Sequence, residues 1–296
     1  MVRVKVPATT ANIGAGFDCL GLAFKFYNEY SFEEIPSGLV FSGVKEEYCN
    51  ENNIIYQAMR LCFSRADYEV KGIKIGIIRE DIPISRGLGS SSSCIVAGLL
   101  GANVLMGKPF TDDELFNLAV EIEGHPDNVA PAFFGGLVVS SMEDGKAYYN
   151  RVEVKDGIEF MAFIPDFTLS TEKARKALPE EIPFKDAVYN VGKAALTLSC
   201  FYSGNFDMLK VACKDKLHEP YRSRLIPEFN EITSKAEELG ALCVFLSGAG
   251  PTIMSIFKKG SMNTKESMKE YLGTLKGGWR LVELEQNNEG PEIIEG

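Results

Sequence analysis

The chain has 296 residues, 45% of them hydrophobic, so it can bury a sizeable core and corresponds to about two domains. The formal net charge of −10 argues against non-specific binding to nucleic acid, and any anionic ligand must be held by local donors. Two histidines argue against a zinc site, and seven cysteines without a Cys-x-x-Cys spacing predict reduced thiols. We find no signal-peptide core and no apolar stretch of about eighteen residues, and we therefore expect a cytoplasmic protein without a membrane partner.

The first half of the chain combines strand and helix patterns. Its predicted strands share an apolar or alternating character and lie at 2–6, 25–34, 70–78, 137–141 and 147–154. Helical spacing predicts helices at 54–64 and over the apolar run 94–106. Thr111 and Glu114 form a capping box for a third helix, which ends at Glu123 before Gly124. The last two strands form a hairpin, and we place a domain boundary near Asp156.

The second half predicts another α+β layer. Its strands are expected at 159–164, 241–246, 252–257 and 279–284, and its helices at 184–202, 227–239 and 264–275. The acidic tail 286–296 is poor in apolar residues and is expected to be loose. The predicted domains are therefore 1–156 and 157–296.

Residues 83–93, Pro-Ile-Ser-Arg-Gly-Leu-Gly-Ser-Ser-Ser-Ser, place a glycine turn directly before an apolar helix. The first amide groups of a helix lack partners and attract anions, so this segment is predicted to be a phosphate loop. Neither Gly87-Leu88-Gly89 nor Gly248-Ala249-Gly250 completes the dinucleotide fingerprint, and no Gly-x4-Gly-Lys-Ser/Thr is present. A flexible linker has a similar composition, but linkers do not normally run into a helix with an apolar face.

Two further segments gather polar residues. Residues 7–21 place small residues around Asn12 and Asp18, either for close approach to a ligand or as an ordinary glycine-rich turn with an Asx cap. Residues 121–128 hold three carboxylates, an imidazole and an amide at a helix end. With a phosphate loop in the same domain, one of these carboxylates could hold Mg²⁺; taken alone, charged residues at a helix end are usually just solvated.

Two arginines and a second glycine turn complete the candidates. Arg175 and Arg222 offer planar forks for a carboxylate or phosphate, although isolated arginines are mostly surface residues. Residues 245–251, Phe-Leu-Ser-Gly-Ala-Gly-Pro, form either a tight structural turn or a wall of a nucleotide site.

Together these motifs resemble one superfamily. Residues 83–93 look like the phosphate loop of the galactokinase, homoserine kinase, mevalonate kinase and phosphomevalonate kinase (GHMP) superfamily, and 247–252 look like its C-terminal glycine motif. Within it, residues 10–18, 125–131, 170–175 and 221–222 most resemble the homoserine kinase family. The resemblance spans about residues 2–257. It implies an α+β fold with an N-terminal domain of the ribosomal-protein S5 domain 2 type, a ferredoxin-like C-terminal domain, and ATP between them.

The resemblance also implies site residues. Asn53 is expected near the base and sugar of the nucleotide, and residues 86–92 around its triphosphate. Besides Asn53, the full expected nucleotide set is Pro83, Ile84, Ser85, Arg86, Gly87, Leu88, Gly89, Ser90, Ser91, Ser92 and Ser93. Ser91 and Glu121 are expected to hold Mg²⁺. Glu123 is the second choice for the metal carboxylate, because helical spacing places it on a different face. The expected substrate set is Asn12, Asp18, His125, Asn128, Arg175, Arg222 and Gly248, and the expected catalytic set is Asp127, His125, Glu121 and Arg175.

The implied activity is transfer of phosphate from ATP to the hydroxyl of L-homoserine, a step towards threonine. Arg175 and Arg222 suit the carboxylate of that amino acid. Asp18, with the side-chain amides of Asn12 and Asn128, suits its ammonium group. His125 and Asn128 could orient its hydroxyl towards the γ-phosphate. Asp127 resembles in its position the catalytic aspartate of mevalonate and galactose kinases, which would make it the base, but a loose phosphoryl transition state does not require one. Another small alcohol as substrate, or a silent ligand-binding homologue, are the alternatives. A homodimer is left open.

Overall fold

A computed structural model of the chain describes residues 1–260 and 262–295, and it contains two sheets. The seven strands of the first sheet are β1 Val2–Ala11, β2 Leu20–Glu34, β3 Gly38–Ser42, β4 Gly72–Glu80, β5 Leu137–Glu143, β6 Lys146–Val152 and β11 Glu292–Glu295. Five of them lie in the order β11-β1-β2-β4-β3, while β5 pairs with β2 and β6 with β5. The first strand is longer than predicted because it continues beyond a register shift at Pro7/Ala8. Strand β3, which runs parallel to β4, was not predicted.

The helices of the first half are α1 Ile54–Arg65, α2 Ser90–Leu105, α3 Asp112–Glu123 and α4 Val129–Phe134. Helix α2 begins four residues before the predicted apolar run, so the serines of the phosphate loop form its first turn. It is buried along most of its length, where α1 and the sheet approach closely: a Cβ on Gly98 would lie 2.5 Å from the carbonyl oxygen of Ile55, and one on Gly101 would lie 2.4 Å from the Phe32 ring. The capping box of Thr111 and Glu114 forms as predicted.

The second sheet has four strands in the order β10-β7-β9-β8, and all neighbouring strands are antiparallel. The strands are β7 Ile158–Ile164, β8 Cys243–Leu246, β9 Ile253–Lys258 and β10 Arg280–Leu284. The helices are α5 Thr171–Lys176, α6 Phe184–Ser203, α7 Leu209–Ala212, α8 Glu219–Arg222, α9 Phe229–Glu238 and α10 Met262–Gly273. This order, with helical connections after the first and third strands, is the predicted ferredoxin-like arrangement.

The two sheets share a hydrophobic core. Leu22, Phe24 and Leu88 from the first half pack in one cluster with Phe160 and Met254 from the second, and the Phe24 and Phe160 rings meet edge to face at 5.3 Å. The chain passes from one sheet to the other between β6 and β7, where the boundary near Asp156 was placed. In the described part of the chain, no helix has the length and apolar composition that a membrane span requires.

The C-terminal tail is not loose, which corrects the prediction. Its residues 292–295 pair with residues 2–5 of β1, and Gln286 bridges to Phe24. Asn287 is buried, and its side chain holds the turn by accepting from the amides of Glu289 (2.7 Å) and Gly290 (2.9 Å). The edge of β1 supplies backbone partners that do not depend on an apolar sequence, and the last strand of the predicted second domain therefore lies in the first sheet.

Deletion of residues 291–296 is expected to lower the melting temperature by several degrees, because it removes the backbone hydrogen bonds between β11 and β1, at about 1 kcal/mol each. Differential scanning calorimetry measures the change. Glu292→Gln is the matched control, since it removes only the exposed Lys5–Glu292 ion pair (3.2 Å) and keeps the strand. Equal melting temperatures for the deletion and the full chain would contradict a stabilising role of β11.

Candidate active site

A cavity of about 590 Å³ lies between the two halves, a volume within the usual range of small-molecule sites. The phosphate loop forms one part of its wall, and residues 43–55 extend it on one side. The remaining wall combines residues of both halves and includes Asn12, Asp18, Glu123, His125, Asp127, Asn128, Arg175, Arg222, Gly248, Ala249 and Gly250. Both glycine motifs thus border a single cavity.

The carbonyl oxygens of the phosphate loop accept hydrogen bonds from the surrounding protein. The donors are the amides of Leu169 to Ser85 (3.2 Å), Thr252 to Arg86 (3.3 Å) and Thr9 to Leu88 (3.2 Å), and the Ser247 hydroxyl to Gly87 (2.5 Å). The amides of Ser90, Ser91 and Ser92, the first three of α2, have no intrahelical acceptors, and no side chain of the described residues caps the helix at Gly89. The start of α2 is therefore a site for an anion.

Two glycines of the loop are required by its geometry. Gly87 and Gly89 have φ angles of 77° and 72°, in the left-handed region. A Cβ on Gly89 would lie 2.0 Å from Thr9 Oγ1, and one on Gly87 would lie 2.3 Å from the carbonyl oxygen of Ser247. Any side chain at either position would push the loop away from its supports.

Three residues of the predicted nucleotide set do not line the cavity. Leu88 is fully buried in the shared core, and Ser93 Oγ lies 3.0 Å from the buried hydroxyl of Tyr30. Pro83 lies outside the lining as well, whereas the following residues through Ser92, apart from Leu88, are part of it. The repeated serines look equivalent in the sequence, but helical rotation turns the last one towards the sheet.

Arg86 lines the cavity, but its guanidinium group is directed to backbone carbonyls. Nε donates to the Pro165 oxygen (2.9 Å), Nη1 to the Ile84 oxygen (3.2 Å) and Nη2 to the Asp166 oxygen. The placement of residues 86–92 around a triphosphate stays a prediction, in which the backbone of Arg86 rather than its guanidinium group would face the phosphates. Asn53 also lines the cavity as the N-cap of α1, where Oδ1 accepts from the Ile55 amide (2.9 Å) and Nδ2 donates to the Tyr48 oxygen (3.0 Å).

The prediction of Glu121 as the metal carboxylate is wrong in its geometry. Glu121 is half exposed on α3 and accepts two hydrogen bonds from Arg65, at 2.7 and 2.8 Å, outside the cavity lining. Glu123, the second choice, faces the cavity and accepts from the hydroxyls of Ser91 (2.8 Å) and Ser92 (3.3 Å). Burial raises the pKa of Glu123 despite these hydrogen bonds. The two residues lie about 200° apart around the helix, so only one of them can face α2.

Asp18, His125 and Asp127 meet at the other end of the cavity, with one ligand atom of each within 4.8 Å of the others. His125 Nδ1 lies 2.6 Å from Asp127 Oδ1, and this oxygen also accepts from the Asn128 amide (2.9 Å). Burial lowers the pKa of His125, but the hydrogen bond to Asp127 and its charge outweigh that effect, and the pKa is raised overall. His125 is therefore biased towards the charged imidazolium form.

The two predicted arginines differ in their surroundings. Arg175 forms a two-pronged ion pair with Asp18, both bonds at 3.0 Å, and both side chains are partly exposed. Arg222 is 1% exposed and has no carboxylate within 4 Å among the described residues; it donates to the oxygens of Ala174 (3.3 Å) and Gly248 (3.2 Å). Burial lowers the pKa of Arg222 to about 10. A buried guanidinium group without a counter-ion favours an anionic ligand.

Two positions of the site were not singled out from the sequence. Phe17 lies below both arginines, with its ring 5.0 Å from Arg222 Cζ and 5.7 Å from Arg175 Cζ. A Cβ on Gly21 would lie 1.8 Å from the Asp127 oxygen, so the missing side chain allows the residues around Asp127 to pack on β2. Both positions lie within or at the end of the glycine-rich segment 7–21, which was the available signal.

Asn12 supports the site rather than offering a free amide. Its Nδ2 donates to the Gly248 oxygen (2.8 Å), and its Oδ1 accepts from the Asp18 amide (2.8 Å). The side-chain amide of Asn128 is similarly held by Thr9, whose hydroxyl donates to Asn128 Oδ1 at 2.8 Å. The Asn12 side chain thereby links the second glycine motif to the amino-terminal segment that carries Asp18.

Comparison with known proteins identifies the family. The family model described as GHMP kinases N terminal domain matches residues 53–136, and that described as GHMP kinases C terminal matches residues 197–270. Over 296 residues, the chain is 54% identical to a homoserine kinase of Clostridium botulinum (strain Eklund 17B), covering 100% of this chain and 99% of that protein. The chain belongs to the GHMP kinase family, among the homoserine kinases. A homoserine kinase of Clostridium beijerinckii is also 54% identical over 296 residues, covering 100% of this chain and 99% of that protein.

The structure of this GHMP kinase agrees with the assignment. It superimposes on the crystal structure of homoserine kinase from Cytophaga hutchinsonii with a TM-score of 0.89 and 26% identity, covering 99% of this chain and 97% of the other. The predicted two-domain α+β fold and the predicted kinase family are thereby confirmed.

Helix α8 of the kinase carries Arg222 and is anchored by a buried acid. Glu219 accepts from the Leu246 amide (2.9 Å), at the end of the strand that leads into the second glycine motif. Burial raises the pKa of Glu219 to about 7. Between about pH 4.5 and pH 7 the folded protein thus binds a proton that the unfolded chain has released, and the associated stability is lost as the pH rises through this window.

Glu219→Gln is expected to stabilise the kinase more at about pH 8 than at about pH 5, because the wild-type protein holds a buried carboxylate only at the higher pH. Urea unfolding curves at both pH values measure the difference. Glu231→Gln on the exposed face of α9 controls for the loss of one negative charge. A stability difference between Glu219→Gln and wild type that does not change with pH would refute the assignment.

Proposed function

We propose that this kinase transfers the γ-phosphoryl group of ATP to the side-chain hydroxyl of L-homoserine, giving ADP and O-phospho-L-homoserine. The observation that carries the proposal is the single cavity, which offers helix amides to phosphate at one end and a buried, unpaired guanidinium group at the other. The choice of L-homoserine as the substrate comes from the names of the relatives, and the charges of the site are compatible with this amino acid.

The amino-acid end matches a zwitterion. Arg222 would hold the carboxylate, since this ligand supplies the counter-ion that the buried guanidinium group lacks in the described part of the chain. Asp18 and Asp127 would face the ammonium group. Because Arg175 is already paired with Asp18, its proposed role is to fix that carboxylate and to contribute positive charge near the ligand. Gly248 contributes through its carbonyl oxygen, which orients Arg222.

The phosphate end provides oxygen ligands for a divalent cation. Ser91 Oγ and the Glu123 carboxylate lie within 2.8 Å of each other beside the start of α2, and Mg²⁺ prefers such oxygen donors together with water and phosphate oxygens. Glu123 therefore replaces Glu121 in the proposed metal set. A bound Mg²⁺ would neutralise charge on the phosphates. The α2 amides would bind the transferring group, and the shared core keeps the two ends of the cavity in fixed relation.

The reaction forms a bond between the substrate hydroxyl oxygen and the γ-phosphorus and breaks the bond to the ADP oxygen. Asp127 Oδ2, which has no hydrogen-bond partner among the described residues, can accept the hydroxyl proton. Direct release of that proton to the phosphate oxygens is the second route, because positioning and charge neutralisation dominate this chemistry. The raised pKa of His125 favours an imidazolium that balances charge beside Asp127. The binding of Mg²⁺ and the cytoplasmic location stay predictions, and the oligomeric state stays open.

A substrate panel tests the proposal. Purified protein with ATP and Mg²⁺ is expected to phosphorylate L-homoserine selectively among L-homoserine, L-serine, L-threonine, mevalonate, galactose and shikimate. Within this panel, only L-homoserine combines an α-carboxylate and an α-ammonium group with a hydroxyl on Cγ, because L-serine and L-threonine carry theirs on Cβ. ADP release and product mass provide the readout. Preferential turnover of another alcohol would overturn the proposed substrate but keep the phosphate loop assignment, and a complete lack of turnover would indicate a silent ligand-binding homologue.

Glu123→Gln is expected to lower kcat by at least about a hundredfold. The neutral amide would hold the divalent cation less tightly than the carboxylate does, and the charge on the phosphates would then be less well neutralised. Glu121→Gln is the matched control on the same helix and is expected to stay within about threefold of wild type, since its carboxylate is paired with Arg65 at the surface. Steady-state assays at several Mg²⁺ concentrations measure both. A larger loss for Glu121→Gln than for Glu123→Gln would return the metal role to Glu121.

A further inference from the structure

The segment 165–170 lies between β7 and α5 in the second half of the chain, and it forms hydrogen bonds with the phosphate loop of the first half. Two of its carbonyl oxygens, those of Pro165 and Asp166, accept hydrogen bonds from the Arg86 guanidinium group. The Leu169 amide donates in return to the Ser85 oxygen at 3.2 Å. Leu169 itself is buried, with 5% of its surface exposed, in the core of the second half. The loop and this segment are therefore bound in both directions.

Arg86 is held by geometry rather than by an opposite charge. Three of its N–H groups reach three carbonyl oxygens, and no carboxylate of the described residues forms an ion pair with it. Because one planar fork spans the Ile84 oxygen of the loop and two oxygens of segment 165–170, it fixes the spacing between them. Lysine has a single ammonium group and cannot span the same set.

The same segment leads directly to the amino-acid end of the cavity. The Ser170 hydroxyl caps α5 by accepting from the Lys173 amide (3.2 Å). Helix α5 then carries Arg175, which is paired with Asp18, and Ala174, whose carbonyl oxygen accepts from Arg222 Nε at 3.3 Å. Both arginines of the amino-acid end thus depend on a helix whose start is tied to the phosphate loop.

We propose that Arg86 is a positioning residue that couples the two ends of the cavity through segment 165–170 and α5, so that nucleotide and amino acid bind with positive cooperativity. This inference rests on the proposed function for the identity of the two ligands. A ligand that orders one end of the shared segment reduces the ordering cost for the ligand at the other end, and the coupling is reciprocal. Its guanidinium group donates to backbone carbonyl oxygens, so the proposed role of Arg86 is to position these segments.

Isothermal titration calorimetry tests the coupling. Mg²⁺ with AMP-PNP and L-homoserine are each titrated alone and in the presence of the other, for wild type, Arg86→Gln, Arg86→Lys and Arg65→Gln. Wild type is expected to bind each ligand at least about fivefold more tightly when the other is present. Arg86→Gln and Arg86→Lys are both expected to reduce this factor to near one and to weaken L-homoserine binding alone by about threefold or more. Arg65→Gln, the same change at a surface ion pair, is expected to match wild type.

The alternative role, a direct phosphate contact, gives a different pattern. In that case Arg86→Gln weakens AMP-PNP only, Arg86→Lys restores much of that affinity because it restores the charge, and L-homoserine binding alone does not change; this result overturns the coupling. If the melting temperature shows that Arg86→Gln does not fold, Arg86→Lys alone distinguishes the coupling role from a direct phosphate contact. If the wild-type protein binds AMP-PNP but not L-homoserine, the proposed function is refuted, and the coupling is refuted with it. If the wild-type protein and the Arg86 variants bind both ligands with the same cooperativity, only the coupling role of Arg86 is refuted.

Discussion

A loop can present its amide groups to an anion only if its carbonyl oxygens find partners elsewhere. In this chain, those partners come from several places: Thr9 on β1, Ser247 and Thr252 at the two ends of the second glycine motif, and Leu169 before α5. The phosphate loop therefore adopts its conformation only when both halves of the chain are folded against it. The glycine motif 247–252 is thus both a structural turn and a wall of the cavity, although the sequence offered these as alternatives.

The two ends of the cavity use different electrostatics. The phosphate end relies on backbone dipoles and on hydroxyl and carboxylate oxygens, whereas the amino-acid end contains full charges of both signs within a short distance. The chain as a whole carries a net charge of −10, so attraction of an anionic ligand must come from these local arrangements rather than from the protein surface. Burial of Arg222 without a paired acid costs folding free energy, and the site recovers that cost only when an anion binds.

Local sequence rules predicted the elements whose signals are local. The capping box of Thr111, the apolar pattern of the long strands and the glycine turn before α2 all have short-range causes. The capping box formed as predicted, whereas β1, β2 and α2 formed at the predicted places but extend beyond their predicted bounds. The choice between Glu121 and Glu123 depended on which face of α3 meets α2, a tertiary contact that spacing alone does not define. The direction of the Arg86 side chain is a similar case, because two of its three acceptors lie about 80 residues away and belong to the other half.

The tail shows the limit of composition as a guide. Residues 286–296 contain few apolar side chains, yet the free edge of β1 orders residues 292–295 through backbone pairing. Because the paired residues 2–5 and 292–295 are far apart in the sequence, this pairing can form only after residues 292–295 have been synthesised. Until those residues leave the ribosome, the outer edge of β1 stays open, and the nascent sheet must avoid pairing with other chains.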